Sequence, residues 1–288
     1  MTYEVPEVAV LVSRVRAEEK RLFEALERRS VPWVQLDART LRGSAHPGRP
    51  RPLPVVLNRE ISHTRACYGA ELLEAAGHEV VNSAAATALC GDKWRTSVAL
   101  ARAGLPTPRT VLALTPEAAL DALDELGGPA VIKPLVGSWG RLVTRIMDRA
   151  AAEAVLEYVA ALPSPQSHVV YVQELVEKPG RDIRVGVAGG EVIGAVYRRS
   201  DGWRTNVARG AHVELCEDAE EFGPLALAAA QAVGARIAGV DLIEDADGRP
   251  QVLEVNAGLE FSGLQRALGE RTSVADALID VVLGRRRW

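Results

Sequence analysis

An acidic hairpin decides the fold: residues 237–244 read IAGVDLIE, and residues 251–256 read QVLEVN. Both arms are mostly apolar and an Asp-Gly pair lies between them, which is typical of two strands joined by a tight turn. Asp241 lies in the first arm, whereas Glu254 and Asn256 lie two apart in the second and therefore share a face. Converging carboxylates repel each other unless a cation lies between them, and Mg²⁺ prefers such oxygen ligands. The pattern indicates either a magnesium site or the charged, solvated face of a ribbon.

Composition narrows the class of protein. The chain has 288 residues, of which 48% are hydrophobic and 25% charged, as expected for a globular protein of about two or three compact units. No apolar run approaches the ~20 residues of a membrane span, and residues 1–6 lack a secretion signal. The net charge of −4 argues against a general nucleic-acid binder. We therefore expect a cytoplasmic protein with no membrane or nucleic-acid partner.

Strands and helices alternate in the N-terminal third. Apolar runs at 8–12 and 55–57 predict strands, and residues 17–29 and 70–76 predict helices. Residues 42–54 contain four prolines, which remove backbone donors, so this segment is predicted to be a loop. The alternation implies a parallel sheet with ligands beyond the carboxyl ends of its strands.

Two lysines lie where an anion would suit them. Lys93 is in the first turn of a predicted helix, where a cation is mildly unfavourable unless an anion binds nearby. Lys133 ends a predicted strand, and a loop with Gly137, Ser138 and Gly140 follows it. Glycine loops bring backbone N–H groups close to phosphates, although this one lacks the Walker A and Rossmann spacings. A plain β-hairpin with a glycine turn is the alternative interpretation.

Arginines are concentrated in residues 198–210, which we predict to be a loop. The segment contains Arg198, Arg199, Arg204 and Arg209 together with an asparagine. An arginine cluster in an otherwise acidic protein suits phosphate or carboxylate ligands. A solvated loop balanced by nearby acids is the alternative.

Taken in chain order, these features resemble the ATP-grasp carboxylate–amine ligases. Four stretches, at residues 81–83, 90–93, 178–184 and 203–210, are similar to the LysX branch of that superfamily, which lies beside the RimK glutamate ligases. The resemblance covers nearly the whole chain. It implies ATP-dependent ligation more specifically than it implies the amine or the carboxylate that is joined.

The resemblance implies an α/β protein with the ATP-grasp fold. Residues 1–90 would form an N-terminal parallel α/β domain that precedes the ATP-grasp unit. Residues 91–172 would form a linker helix and a central lid domain, and residues 173–288 a C-terminal mixed-sheet domain that binds ATP and magnesium.

The implied reaction is amide-bond formation through an acyl phosphate. LysX-like enzymes join the amino group of α-aminoadipate or glutamate to the C-terminal glutamate of a small acidic carrier protein, LysW. We expect such a carrier and an amino acid as partners, and a homo-oligomer, either a dimer or a tetramer. The alternative is a RimK-type glutamate ligase that modifies a ribosomal protein or a small molecule.

The resemblance also implies roles for individual residues. Those that would bind ATP are Lys93, Lys133, Gly137, Ser138, Gly140, Gln173, Glu174, Leu175, Val176 and Asp182. Those that would hold two Mg²⁺ ions, or Mn²⁺, are Asp241, Glu254 and Asn256. Those that would stabilise the acyl phosphate and bind substrate carboxylates are Arg184, Arg204, Asn206 and Arg209. The lysines and the glycine loop would contact the phosphates, residues 174–176 the adenine, and Asp182 the ribose. Residues 257–263 would help shape the amino-acid pocket, and their sequence leaves the identity of the amino acid open.

Overall fold

The computed structural model describes residues 6–44, 46, 54–137, 140–200, 202–205 and 210–285. Over these ranges the chain forms three β-sheets, of four, four and five strands from the N-terminal to the C-terminal part, with helices packed on them. None of the described helices is long and apolar enough to span a membrane.

A parallel four-stranded sheet forms the N-terminal part, as predicted. Its strands are β1 (Val8–Val12), β2 (Trp33–Asp37), β3 (Val55–Asn58) and β4 (Val80–Val81), and its helices are α1 (Ala17–Arg28), α2 (His63–Ala75) and α3 (Ala84–Gly91). The strand order is β2-β1-β3-β4. Helix α2 begins seven residues earlier than predicted and packs closely on the sheet, because a Cβ added at Gly69 would lie only 2.9 Å from Leu11 Cδ2.

An antiparallel four-stranded sheet forms the middle part. Helix α4 (Lys93–Arg102) precedes it, and its own elements are β5 (Thr110–Ala113), α5 (Pro116–Leu126), β6 (Ala130–Lys133), β7 (Thr144–Ile146), α6 (Arg149–Ala160), a 3₁₀ turn (Pro165–His168) and β8 (Val170–Glu174). The strand order is β5-β8-β6-β7. Thr115 caps the start of α5, and Gly127, at a φ of 72°, ends it in the left-handed conformation that favours glycine. The proposed boundary between residues 172 and 173 falls within β8, and the division into domains stays a prediction.

A five-stranded sheet forms the C-terminal part. Its elements are β9 (Arg181–Ala188), β10 (Glu191–Arg199), β11 (His212–Leu215), α7 (Ala219–Ala232), β12 (Ile237–Glu244), β13 (Pro250–Asn256), α8 (Ser262–Leu268) and α9 (Val274–Val282). The strand order is β11-β10-β9-β12-β13, and every neighbouring pair is antiparallel. The prediction of a mixed sheet is therefore wrong in this detail. Short turns join β9 to β10 and β12 to β13, and such turns require antiparallel neighbours.

Strand β10 corrects the prediction for the arginine segment. Arg198 and Arg199 were expected in a loop, but both belong to β10, which continues to Arg199 because it pairs with β11. Arg198 lies opposite Asp182 on one side and Val213 on the other. The side chain of Arg198 is consequently buried, whereas that of Arg199 is 43% exposed.

One hydrophobic core joins the first and third sheets. Helix α9 packs on α1 and β3, and Leu278 belongs to the same buried cluster as Leu26 and Val8. At the surface, Arg28 Nη2 lies 2.7 Å from Asp276 Oδ2 and strengthens the contact between α1 and α9. This arrangement brings the carboxyl ends of β1 and β3 close to the residues that follow β13.

Candidate active site

A single cavity of about 1060 Å³ collects the predicted site residues. Those that line it are Lys93, Lys133, Gly137, Gly140, Gln173, Glu174, Leu175, Val176, Asp182, Arg184, Arg204, Asp241, Glu254 and Asn256. The predicted residues Ser138, Asn206 and Arg209 lie outside the described residues. All three sheets contribute to the lining, so side chains that are far apart in sequence face one space.

The acidic hairpin faces this cavity. Asp241 on β12 is directly opposite Glu254 on β13, and Asn256 is opposite Gly239, two residues along on the same face. The expected convergence of two carboxylates and an amide is therefore present. Among the described residues, no group of three or more His, Cys, Asp or Glu side chains is placed to hold a metal ion. A cation here would rely on the two carboxylates, the Asn256 amide and oxygens from its substrate.

Two arginines contact Asp241. Arg184 Nη1 lies 3.0 Å from Asp241 Oδ1, and Arg198 Nη2 lies 3.3 Å from the same oxygen. The guanidinium of Arg184 also packs over Gly239, where an added Cβ would be 2.6 Å from Nη2. Glycine at 239 thus makes the approach of Arg184 to the acidic strand possible.

Arg198 bridges two carboxylates in the site. It is not among the site residues predicted from the sequence. Its Nε donates to Asp182 Oδ1 at 2.5 Å while its Nη2 contacts Asp241. Burial opposes the charge on Arg198, but the two carboxylates outweigh burial and raise the pKa of the guanidinium. Its place in the site follows from the length of β10, which the local sequence does not reveal.

Lys178 is a second cavity residue that the prediction left out of the ATP-binding set. Its Nζ donates to Thr205 Oγ1 at 2.7 Å and lies 3.8 Å from Asp182 Oδ2. Thr205 also donates to Asp182. Burial lowers the pKa of Lys178. Asp182 is therefore engaged by three side chains of the protein, including Arg198.

Lys133 is held by Gln173. Its Nζ lies 2.5 Å from Gln173 Oε1, and Gln173 Nε2 in turn donates to Tyr171 OH at 2.9 Å and to Thr110 Oγ1 at 3.1 Å. Burial lowers the pKa of Lys133 to about 8. A nearby anion would raise this pKa again, since opposite charge favours the protonated lysine.

Lys93 contacts both the glycine loop and the acidic strand. Its Nζ donates to the carbonyl of Gly137 at 2.8 Å and lies 3.7 Å from Glu254 Oε1. Gly137 and Gly140 have φ values of 152° and 63°, a region that favours glycine. This loop joins the antiparallel strands β6 and β7, and Lys93 holds its middle beside the cavity.

The segment at 202–205 contacts the last residue of that loop. Arg204 Nη2 donates to the carbonyl of Val143, and the Arg204 guanidinium lies 4.8 Å from the centroid of the Trp203 ring. Arg145, on β7, lies 5.8 Å from the same ring. Cation–π contacts of this kind are attractive. Trp203 therefore connects the segment that follows β10 to the β6–β7 hairpin. The residues next to it in the sequence do not indicate this role.

Residues 174–176 are anchored where β8 ends. Glu174 forms an ion pair with Arg109, with 2.8 Å between Oε2 and Nε. The backbone N–H of Leu175 donates to Pro129 at 2.9 Å. These contacts fix the segment at the cavity edge.

Comparison with known proteins agrees with this fold. Sequence models of the LysX preATP-grasp domain and of the RimK-like ATP-grasp domain match residues 8–89 and 90–282. A solved RimK-domain ATP-grasp protein from Sphaerobacter thermophilus has a TM-score of 0.80 at 28% identity and covers 96% of this chain and 100% of its own. The fold and the cavity together define an ATP-grasp enzyme, an ATP-dependent ligase that uses ATP and a divalent metal.

Two curated relatives show a similar match. The glutamate–LysW ligase ArgX of Sulfolobus acidocaldarius is 33% identical over 279 residues, which is 96% of this chain and 97% of the relative. The α-aminoadipate–LysW ligase LysX of the same organism is 36% identical over 213 residues, 74% of this chain and 77% of the relative. The chain belongs to the RimK-like ATP-grasp family. The predicted family and ATP-grasp fold are confirmed.

Proposed function

We propose that the chain joins the amino group of an amino acid of the α-aminoadipate or glutamate type to the C-terminal glutamate of a LysW-like carrier protein, with ATP as the energy source. The observation that carries the proposal is the cavity in which Asp241 and Glu254 face each other beside Lys93 and Lys133. A relative that this chain matches at nearly full length is a LysW ligase, so a RimK-type ligase that modifies a ribosomal protein is not favoured.

The donor set fits a hard divalent cation. Asp241, Glu254 and Asn256 offer oxygen atoms on adjacent antiparallel strands, and Mg²⁺ prefers a few such ligands together with phosphate oxygens and water. We propose that these three residues hold Mg²⁺, as two ions, with Mn²⁺ as a substitute. The bound cation would neutralise charge on the transferred phosphoryl group.

The lysines and the glycine loop suit the phosphates of ATP. Lys93 and Lys133 both line the cavity beside the acidic hairpin, and the loop that includes Gly137 and Gly140 borders the same space. We propose residues 174–176 at the adenine. Asp182 remains proposed at the ribose, but a ribose hydroxyl would have to share this carboxylate with Arg198 and Thr205.

Arg184 and Arg204 are proposed to bind the reacting carboxylate and phosphoryl oxygens, with Asn206 and Arg209 in the same role. The Nε of Arg184 is buried and has no hydrogen-bond partner among the described residues. A buried donor of this kind is costly unless an acceptor reaches it, and a substrate oxygen would supply that acceptor.

The proposed reaction needs no nucleophile from the protein. An oxygen of the acceptor carboxylate bonds to the γ-phosphorus as the bond from that phosphorus to the β–γ bridging oxygen breaks and ADP leaves. The amine nitrogen then bonds to the acyl carbon, the C–O bond to phosphate breaks, and the nitrogen releases a proton. Positioning and charge neutralisation therefore carry the catalysis.

The test is an ADP-release assay with a panel of amino acids, with and without a small acidic carrier that ends in glutamate. We expect ADP release to require the carrier and to rise with glutamate or α-aminoadipate, and mass spectrometry to show the carrier extended by one amino acid. ADP release that ignores both additions would contradict the proposed ligation.

The metal role of Glu254 has its own test. Glu254→Gln keeps the shape of the side chain but removes a charged ligand, so most of the ligase activity should disappear while the fold persists by circular dichroism. Glu214→Gln, on the exposed strand β11, is the matched control. Near-full turnover of the Glu254 variant would refute the proposed metal role.

A further inference from the structure

Residues 257–263 form the cavity wall that follows β13. Ala257, Glu260 and Ser262 are among the residues of this wall that line the cavity. From 257 to 261 the backbone is irregular. The hydrogen bonds between strands of the neighbouring sheet therefore do not fix the position of the wall. Other parts of the molecule must hold it.

A carboxylate from the N-terminal part holds the end of the wall. Glu18, on α1, accepts hydrogen bonds at Oε1 from the backbone N–H groups of Phe261 and Ser262, each at 2.7 Å. The Glu18 side chain is only 7% exposed, and charge-assisted hydrogen bonds are strong in such dry surroundings. Both N–H groups lie at the start of α8, where a helix leaves its first donors without partners of its own. Glu18 thus fixes the point at which the wall becomes a helix.

Arg59 holds the middle of the wall and neutralises the charge of Glu18. Its Nη1 donates to the carbonyl of Leu259 at 2.8 Å, and its Nη2 lies 2.8 Å from Glu18 Oε2 and 3.0 Å from Glu19 Oε1. Its Cζ is 5.6 Å from the centroid of the Phe261 ring. A buried guanidinium with this many fixed partners has little freedom to move. The wall is therefore held at a second point.

Two more N-terminal side chains contact the wall. Asn82 Nδ2 donates to the carbonyl of Ala257 at 2.7 Å, and Arg16 Nη1 donates to Glu260 Oε1 at 3.2 Å. The contacts occur at successive positions of the wall, from its beginning to its end. The N-terminal part thus determines where the wall lies relative to Glu254 and Asn256.

We infer that Glu18 is a specificity-determining positioning residue, which acts with Arg59 to set the place of residues 257–263 and thereby the shape of the amino-acid pocket. The inference rests on the proposed function, because it takes the amino acid to bind against this wall. Replacing the Glu18 carboxylate by an amide keeps its shape but removes the charge that attracts two N–H groups and Arg59. The wall then relaxes, and the fit of the amino acid changes.

Glu18 could also act only by joining the N-terminal part to the C-terminal part, and this role can be distinguished from positioning of the wall. Arg28 and Asp276 also join α1 to the C-terminal part, with 2.7 Å between Nη2 and Oδ2, but they lie on the surface with exposed fractions of 59% and 29%. Neither residue lines the cavity. Arg28→Gln is therefore a matched control that weakens the contact between the two parts and leaves the wall alone.

The experiment compares the wild-type chain, Glu18→Gln, Arg59→Lys and Arg28→Gln in the carrier-dependent ligation assay. For Glu18→Gln we expect KM for the amino acid to rise about tenfold, as the loss of charge-assisted bonds suggests, and KM for ATP to change less than about twofold. The ratio of kcat/KM for glutamate to that for α-aminoadipate should shift as well, since the two differ by one methylene. Arg59→Lys keeps the positive charge but loses the planar guanidinium that binds several partners at once. It should change the same quantities in the same direction.

Each outcome bears on one claim. Unchanged KM and selectivity in both Glu18→Gln and Arg59→Lys, or an equal rise in KM for ATP and for the amino acid, would overturn the positioning role. A shift of the same size in Arg28→Gln would also overturn it, because that result would show that any weakened contact between the N-terminal and C-terminal parts has the same effect. If Glu18→Gln fails to fold, Arg59→Lys decides alone. Absence of amino-acid-dependent ligation by the wild-type chain would instead overturn the proposed function and the inference with it.

Discussion

Arg198 compensates two buried carboxylates, Asp182 and Asp241, on neighbouring strands. Removing one partner of a buried ion pair typically costs about 3–5 kcal/mol, and the low end of that range applies here because Arg184 still pairs with Asp241 and Lys178 still lies near Asp182. We therefore expect Arg198→Met to lower the free energy of unfolding by about that amount in urea titrations at pH 7.

The neighbouring residue provides the control for Arg198. Arg199 pairs with Glu214 at 2.6 Å, but the two side chains are 43% and 53% exposed, and exposed pairs contribute about 0–1 kcal/mol. Arg199→Met should thus cost less than about 1 kcal/mol. Equal losses for the two variants would show that Arg198 does not compensate Asp182 and Asp241 in the folded protein.

Lys133 should make nucleotide binding depend on pH. Burial lowers its pKa to about 8, so the free protein carries the charged amine below pH 8 and the neutral amine above it. The ATP phosphates favour the charged form. We expect kcat/KM for ATP, which reports the free enzyme, to be retained below pH 8 and to fall toward tenfold per pH unit above it.

A substitution and a second measurement check that interpretation of Lys133. In Lys133→Arg the guanidinium stays charged, so the decline near pH 8 should disappear even if turnover is lower. ADP binding by the wild-type chain at pH 9 should take up a proton, which calorimetry in buffers of different ionisation enthalpy detects. A wild-type profile that stays flat from pH 7 to pH 9.5 contradicts the assignment.

Sequence reasoning succeeds for some site residues and not for others, for physical reasons. Glu254 and Asn256 are predictable as neighbours on one face because a two-residue period links them, whereas Asp241 lies opposite Glu254 only because a β-bulge between Asp241 and Leu242 shifts the register. The role of Arg198 depends on pairing between β10 and β11, and that of Glu18 on a contact with Phe261, 243 positions away along the chain. Such long-range register leaves no local pattern in the sequence.

Among the elements, the β6–β7 hairpin is held at the middle and at the end of its loop. Lys93 binds the carbonyl of Gly137, Arg204 binds that of Val143, and the guanidinium groups of Arg145 and Arg204 both lie near the Trp203 ring. Each cation–π contact contributes about 0.5–1 kcal/mol at such sites. We expect Trp203→Ala to weaken ADP binding by about threefold to tenfold, because the hairpin loses part of what holds it at the proposed position of the phosphates.

The measurement for Trp203 is a calorimetric Kd for ADP with magnesium. Tyr158→Ala is the control, since Tyr158 lies on α6 of the same sheet and is 71% exposed. Its Kd should match that of the wild-type chain. An unchanged Kd in Trp203→Ala would mean that the contact does not keep the hairpin closed over a nucleotide.

Helix starts that depend on an adjacent capping residue leave a local signal in the sequence. The caps of α3, α4 and α5 appear at Ser83, Asp92 and Thr115, each of which accepts a hydrogen bond from a backbone N–H in the first turn. The early start of α2 was missed because its first turns lack apolar periodicity and are stabilised by close packing at Gly69. Tertiary packing here overrides the local signal.

At the scale of the whole molecule, α9 completes the core of the N-terminal sheet. Leu278 has no exposed surface and belongs to the cluster that includes Val8 and Leu26. Truncation of a buried leucine to alanine costs about 2–5 kcal/mol. We expect Leu278→Ala to lose that amount in a single unfolding transition that includes the N-terminal sheet.

A surface leucine is the comparison for Leu278. Leu114 is 68% exposed, so Leu114→Ala should change the free energy of unfolding by less than about 0.5 kcal/mol. Circular dichroism follows the whole transition, and amide hydrogen exchange of β1 and β2 reports on the N-terminal sheet. Exchange in these strands that remains unaffected by Leu278→Ala would show that the N-terminal sheet is stable without α9. The local sequence of α9 does not indicate that the helix packs on α1 and β3, because both lie more than two hundred residues away along the chain.

Helix α9 also has a consequence for synthesis in the cell. Domains generally fold in the order in which they leave the ribosome, with the N-terminal one first. Here the apolar face formed by α1 and the first sheet has its covering helix more than two hundred residues downstream, at Val274–Val282. A nascent chain therefore carries that face uncovered through most of translation. Chaperones that bind exposed apolar segments are expected to associate with the nascent chain until α9 has emerged.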